Sequence, residues 1–145
     1  MLDDVNGPQM MDMLLDGLEC RAQLPESWSD FFDRRGALPT IFDDRRRFPR
    51  FHYRGRAVME FDKRAYCVYT KNISRCGICF LHFEQLFPLQ QGQIWLPWNV
   101  RVAFEVTRCV RAGKNCYECG TQFIREEDRA TVGRHLVKDY GTAAT

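Results

Sequence analysis

Four arginines lie within six residues of the sequence, in RRRFPR at positions 45–50. A guanidinium group can donate two parallel hydrogen bonds to a phosphate and can stack its plane on a purine ring. Pro49 fixes its own φ and favours extended backbone at Phe48, so Arg46 and Arg50 are not expected to be neighbours on a helix. We expect a bent or extended lead into the first strand, whose arginines close around a small anionic ligand. Taken alone, the run is equally typical of a solvated basic segment that binds any polyanion.

A second polar group lies in NISRCG, at positions 72–77. In an extended strand, Asn72 and Ser74 point to the same face, opposite Ile73. An amide beside a hydroxyl group can hydrogen-bond to a base edge or to a phosphate oxygen. Gly77 follows at a position where the chain can turn with positive φ. In isolation, an Asn-x-Ser sequence is more typical of a polar strand end that stabilises a turn.

Two C-x₂-C pairs, Cys76 with Cys79 and Cys116 with Cys119, have the spacing of a structural zinc site. Each pair falls within a predicted strand, where residues three apart point to opposite faces of the sheet. We therefore expect these thiols to be small buried side chains, and we expect no metal and no other cofactor. Zinc bound by these four cysteines is kept as the alternative.

The residue types that carry catalysis are present but scattered. His52, His82 and His135 are far apart in sequence, and no nucleophile elbow or pair of carboxylates accompanies them. The acidic run at 126–128 is explained by the favourable effect of negative charge at a helix N-terminus. We expect a binding protein rather than an enzyme.

A period of two in the apolar residues begins at Phe51 and indicates a half-buried strand. Short runs of the same kind, separated by turn signals, predict an antiparallel sheet that closes into a small barrel, since closure removes exposed edges. The further predicted strands lie in residues 65–74, 77–83, 99–110 and 116–123. Residues 125–140 then predict an amphipathic helix with Ala130, Val132, Leu136 and Val137 as its apolar positions.

The N-terminal part differs in charge from the rest of the chain. Residues 1–44 hold 10 acidic and 3 basic residues, whereas residues 45–145 hold 9 acidic and 18 basic residues. Two short helices are predicted here, one starting near Gly7 with Met10, Met13, Leu14 and Leu18 on its apolar face, and one in residues 27–36. No membrane span and no export signal are recognised, so we expect a cytoplasmic location and reduced cysteines.

Taken together, the two polar groups resemble the motifs of the PilZ family of cyclic di-GMP receptors. That family carries Arg-x-x-x-Arg before its first barrel strand, which Arg46 and Arg50 match. It also carries Asp/Asn-x-Ser-x-x-Gly at a strand end, which Asn72, Ser74 and Gly77 match. The resemblance extends over roughly residues 43–138.

The resemblance implies a mainly β fold, a six-stranded antiparallel barrel with a C-terminal helix and a short N-terminal helical extension. It implies domain boundaries at 1–42 for the acidic extension, 43–140 for the barrel with its helix and 141–145 for a tail. It implies that the matched arginines hold the phosphates and stack on guanine, while the second motif lines the other side of the ligand. Arg45 and Arg47 are possible further contacts, and Arg45 is associated with two stacked ligand molecules in place of one.

The expected function is a cytoplasmic receptor for cyclic di-GMP, a bacterial second messenger. Ligand binding would change its conformation and thereby regulate an unidentified downstream protein, with a homodimer through residues 1–42 as a further possibility. Two alternatives are a general polyanion or nucleic-acid binder and a ligand-independent protein-interaction barrel with a structural zinc site. Affinity for a polyanion falls steeply with salt and does not favour a cyclic dinucleotide, which separates the first alternative.

Overall fold

The computed structural model describes residues 7–39 and 48–141, with side chains from Met11 onward in the first range. Six antiparallel strands form a closed barrel, in the order β1-β2-β3-β6-β5-β4, and pairing of β1 with β4 completes the closure. The strands are β1 (Phe51–Phe61), β2 (Arg64–Ile73), β3 (Ile78–His82), β4 (Gln91–Leu96), β5 (Val100–Gly113) and β6 (Cys116–Phe123). The predicted fold class, a mainly β six-stranded barrel with helices at both ends of the chain, is confirmed.

Alternating apolar residues of the strands fill the barrel. Met59 on β1, Ile94 on β4 and Phe104 on β5 are fully buried, and the Phe80 and Phe104 rings meet edge to face at 5.5 Å. Buried aromatic side chains contribute more than their apolar area, because edge-to-face pairs add a favourable electrostatic term. The interior of the barrel is therefore a packed core.

The C-terminal helix α2 (Glu126–Tyr140) buries Val132 and Leu136, as predicted, whereas Val137 is 41% exposed and so lies off the buried face. Three acidic residues occupy its first turn, where they interact favourably with the helix dipole. At its other end the Tyr140 ring stacks on Phe51 at 4.4 Å, and the Tyr140 hydroxyl donates to the His52 carbonyl at 3.3 Å. The helix thus holds the start of β1.

The N-terminal helix α1 (Gly7–Leu15) is shorter than predicted and buries a different face. Gly17, with φ +82°, follows the last turn and allows the chain to leave the helix. Met11 and Leu15 are buried, while Met13 is 61% exposed. The helix packs on the outer surface of the barrel against β1 and β4, which also explains why Val58, on the outer face of β1, is buried.

The prediction of a second helix in residues 27–36 is wrong. The chain instead forms two single 3₁₀ turns, Glu26–Trp28 and Phe31–Asp33, and no side chain caps either turn. Phe31 is 2% exposed and packs with Leu81 and Cys116 on the outer face of β3 and β6. One buried anchor fixes the segment, and a short apolar face of this kind does not require a regular helix. Within the two described ranges, every helix is too short or too polar to cross a bilayer.

Candidate functional site

A pocket of about 660 Å³ lies on the outer surface of the barrel. On β2 and β6 several lining residues have core residues as neighbours: Asn72 lines the pocket beside buried Ile73, and Gly120 lines it beside buried Cys119. Because successive strand residues point to opposite faces, the pocket uses the outward side of the strands whose inward side forms the core.

The first motif reaches the pocket through its C-terminal residues. Phe48 and Arg50 line the pocket, while Arg45, Arg46 and Arg47 lie outside the described residues. Backbone pairing holds the end of this motif, since the Leu38 amide donates to the Arg50 carbonyl at 2.8 Å. The arginine-bearing motif is thus joined directly to residues that line the pocket.

The second motif reaches the same pocket from the turn between β2 and β3. Asn72, Ser74 and Gly77 all line it, whereas Ile73 between them is 1% exposed and belongs to the core. The Ser74 hydroxyl accepts a hydrogen bond from the Cys76 amide at 3.1 Å, and the Ser74 amide donates to the Gly77 carbonyl at 2.9 Å. These bonds close a tight turn and fix the direction of the polar side chains.

Gly77 is needed for a reason that differs from the sequence-based expectation. Its φ is not in the positive range, unlike that of Gly17 or Gly36. Instead, a Cβ atom at Gly77 would overlap the carbonyl oxygen of Thr121 on β6. The glycine permits a close approach of two backbones, which is the second common role of this residue.

The two motifs touch each other through Arg75 and Phe48. The Arg75 guanidinium lies over the Phe48 ring, 4.7 Å from its centre, a cation–π contact. A Cβ atom added at Gly133 of α2 would meet the Arg75 guanidinium at 3.4 Å. Arg75 is therefore packed between the first motif and the C-terminal helix.

Two β-bulges bring neighbouring residues of one strand into the pocket. On β2 the register shifts between Thr70 and Asn72, which leaves Lys71 as an extra residue, and Lys71 and Asn72 both line the pocket. On β5 a second shift leaves Thr107 as an extra residue, and it lines the pocket together with Arg108. A bulge twists its strand and re-aims side chains that regular alternation would send to the other face.

The pocket is electropositive. Arg50, Arg54, Lys71 and Arg108 line it, against Glu118 as the one carboxylate that the described residues contribute. Lys71 Nζ lies 2.6 Å from Glu118 Oε1, and Arg108 Nη2 lies 4.0 Å from Glu118 Oε2. The described lining residues thus carry more positive than negative charge, which favours an anionic ligand.

A histidine in this pocket is held in its neutral form. Arg54 Nη2 lies 3.1 Å from His52 Nδ1, and a guanidinium can only donate, so this ring nitrogen accepts. Partial burial lowers the pKa of His52, and the positive charges of Arg54, Arg34 and Lys71 lower it further. His52 therefore adds no positive charge of its own near neutral pH.

The comparison with protein families agrees with this geometry. The PilZ domain family matches residues 44–138, which is well over half of the chain. The chain belongs to the PilZ domain family. Among solved structures, the crystal structure of an uncharacterized Legionella protein, Lpg0364, is similar to it with a TM-score of 0.43 and 16% identity. That match covers 61% of this chain and 90% of the other chain. A comparison with curated proteins found no match.

The cysteines of this PilZ domain do not assemble a metal centre among the described residues, where no three His, Cys, Asp or Glu side chains are close enough to share an ion. Cys116 packs with Phe31 outside the barrel, whereas Cys119 belongs to the core. The Cys119 sulfur lies 3.2 Å from Cys109, its cross-strand partner. The zinc alternative gains no support, because Cys116 and Cys119 lie on opposite faces of β6. Cys76 lies in the turn before β3 and is half-buried, not buried within a strand as predicted.

Sequence reasoning missed four charged residues of the PilZ pocket, Arg54, Lys71, Arg108 and Glu118. The sequence contains a signal for Arg54, because period-two alternation places it on the same polar face as His52 of β1 and as Arg50, which precedes β1. Lys71 had none, because its direction depends on a bulge that alternation does not reveal.

Proposed function

We propose that this PilZ domain is a cytoplasmic receptor for cyclic di-GMP and regulates a partner protein through a change of conformation. One observation carries the proposal: Arg50 of the first motif and Asn72, Ser74 and Gly77 of the second motif line the same electropositive pocket. These are the residue positions by which the family's receptors are marked. The role is binding rather than catalysis.

The chemistry of the pocket suits a cyclic dinucleotide. Such a ligand offers two phosphates and two purines, and a guanidinium can hydrogen-bond to the former and stack on the latter. In the proposed complex Arg46 and Arg50 hold the phosphates, with Arg45 and Arg47 as further contacts. Asn72 and Ser74 contact the ligand from the opposite side. Gly77 lets the β2–β3 turn lie close to β6.

The size of the pocket also supports a small ligand. Its volume of about 660 Å³ falls within the range of about 300–1,000 Å³ typical of small-molecule sites. Closure of the arginine-bearing segment over the ligand would add contacts from the residues before Phe48. The conformational entropy lost on closure is offset by charge-assisted hydrogen bonds.

Calorimetric titration tests the proposal directly. Wild-type protein and Arg50→Ala are titrated with cyclic di-GMP, cyclic di-AMP and GMP. We expect wild type to favour the guanine dinucleotide and Arg50→Ala to lose at least about 2 kcal/mol of binding free energy. Arg101→Ala is the matched control, because Arg101 on β5 pairs with Glu60 and does not line the pocket.

Equal affinity of wild type and Arg50→Ala would contradict the proposed role of the first motif. Binding that falls steeply with salt and shows no preference among nucleotides would instead indicate a polyanion binder. The stoichiometry from the same titration tests Arg45, for which two ligands per chain are expected. We propose residues 1–42 as an extension of the ligand-binding unit, which spans residues 43–140 and is followed by a tail at 141–145. Light scattering with and without ligand tests whether the extension forms a homodimer.

A further inference from the structure

We propose that Arg54 and Lys71 form a second anion-contacting pair in this pocket and that residues 26–33 hold the pair in position. The inference rests on the proposed binding of cyclic di-GMP and adds to it two ligand contacts outside both motifs. It also assigns a role to residues 26–33, which lie outside the pocket. We call these residues the aromatic segment, after Trp28, Phe31 and Phe32.

Arg54 is tied to the aromatic segment by one hydrogen bond and one ring contact. Its Nη1 donates to the Phe31 carbonyl at 3.2 Å, and its guanidinium carbon lies 4.3 Å from the centre of the Phe31 ring. Its Nε donates to the Lys71 carbonyl at 2.7 Å. These contacts fix the guanidinium while its charge faces the pocket.

The groups that accept hydrogen bonds from Arg54 are uncharged. Two are backbone carbonyls, of Phe31 and Lys71, and the third is the neutral ring of His52. None of these three neutralises the guanidinium, whereas a phosphate would do so. Hydrogen bonds between a guanidinium and an anion are roughly twice as strong as those between neutral groups.

Lys71 is held beside Arg54 by the same segment. Its Nζ lies 5.2 Å from the centre of the Trp28 ring and also pairs with Glu118. The bulge on β2 directs its side chain into the pocket. An ammonium group has three donors, so the bond to Glu118 leaves capacity for a phosphate oxygen.

The aromatic segment is itself firmly docked. Phe31 is almost fully buried against Leu81 and Cys116, the Trp28 and Phe31 rings stack at 5.9 Å, and the Phe32 ring meets Tyr69 edge to face at 5.4 Å. Arg54 and Lys71 are therefore ordered before a ligand arrives, which lowers the entropy lost on binding. Phe31 and Trp28 are positioning residues, because they act on the ligand through the two cations.

This arrangement links ligand binding to docking of the aromatic segment. If the segment raises ligand affinity, the ligand must stabilise the docked segment by the same factor. Residues 26–33 lie between α1 and the arginine run in the sequence, so their docking state is a signal that a partner can read. This link does not depend on any movement of the arginine run at 45–50.

Substitutions of the positioning residues test the inference. We expect cyclic di-GMP to bind about fivefold more weakly to Phe31→Leu and to Trp28→Leu, since leucine keeps apolar volume but removes the ring face. Arg54→Gln should lose at least about tenfold. Trp95→Leu is the matched control, because Arg101 lies over the Trp95 ring at 5.5 Å outside the pocket, and its affinity should equal that of wild type.

Hydrogen exchange supplies a readout that needs no substitution of a buried residue. In wild-type protein, cyclic di-GMP should slow amide exchange in residues 26–33, and in Arg54→Gln this protection should disappear. A wild-type protein that does not bind cyclic di-GMP overturns both the proposed function and this inference. Tight binding by wild type with unchanged affinity in Arg54→Gln, or with no protection of residues 26–33, overturns the inference alone.

Discussion

The guanidinium carbon of Arg75 lies 4.7 Å from the centre of the Phe48 ring. Phe48 lies inside the first motif and Arg75 inside the second, and both occupy positions that the motif patterns leave unspecified. The contact joins the two motifs, so residues that the patterns leave unspecified contribute to the alignment of the motifs.

A double-mutant cycle on this pair should reveal coupling. Arg75→Ala and Phe48→Ala are each expected to weaken cyclic di-GMP binding about fivefold, because each removes the contact that aligns the motifs. The double variant should bind about as tightly as each single variant. Titration calorimetry should then give a coupling free energy of about 1 kcal/mol between the two side chains. Fully additive losses would show that the contact does not align the motifs.

Gly77 should tolerate no side chain. Gly77→Ala is expected to lower the free energy of unfolding by about 1–3 kcal/mol, since the methyl group would overlap the Thr121 carbonyl and push β3 from β6. Urea unfolding measures the difference. Gly55→Ala is the matched control, because nothing lies within 4 Å of a Cβ atom there, and it should unfold like wild type. Similar losses in both variants would show that the overlap with Thr121 is not the cause of the loss at Gly77.

His82 should make the fold sensitive to acid. It is 2% exposed, its ring meets those of Tyr66 and Phe83 at 5.0 and 4.8 Å, and burial lowers its pKa to about 4, with Arg21 acting in the same direction. The unfolded chain has a histidine pKa of about 6.5, so between these values only the unfolded state binds the proton. The free energy of unfolding should therefore fall as pH is lowered through this window, by up to about 3 kcal/mol.

His82→Phe isolates this contribution, because it keeps an aromatic ring and removes the titrating group. Urea unfolding at several pH values between about 7 and 5 should show a shallower loss of stability in the variant than in wild type. Carboxylates titrate in both proteins, so the difference between the two slopes is the relevant quantity. Parallel curves would exclude His82 as the source.

Glu118 should oppose binding of an anionic ligand. Glu118→Gln removes the carboxylate that pairs with Lys71 and lies 4.0 Å from Arg108, so affinity for cyclic di-GMP is expected to rise about fivefold. Glu105→Gln, on β5 outside the pocket, is the control. A loss of affinity in Glu118→Gln that is confined to guanine ligands would show that this carboxylate contacts the base instead.

The sequence predicted the barrel because its strands are half-buried and alternate clearly, as in Val102, Phe104 and Val106 on β5. It predicted two groups of lining residues, one with Arg50 and one with Asn72 and Ser74, because these residue types hydrogen-bond to phosphates and base edges. It did not predict the register shifts at Lys71 and Thr107, since an extra residue in one strand depends on pairing with its neighbour.

The N-terminal region was harder to predict because packing on the barrel decides its structure. Helical spacing placed Met13 on the buried face of α1, yet Met11 and Leu15 are the residues that contact the barrel. In residues 27–36 the structure is decided by the burial of one side chain, Phe31. The helix propensity of the segment is too weak to impose a regular helix. Local propensity is a weak guide where one tertiary contact dominates.

The alternation of Asn72 with Ile73 on β2 separates two kinds of evolutionary constraint. A relative of this chain could exchange every outward side chain of the pocket and still keep the inward ones that hold the barrel closed. Such a barrel can change the ligand that it recognises without loss of stability, except at Gly77, where a side chain would displace β6.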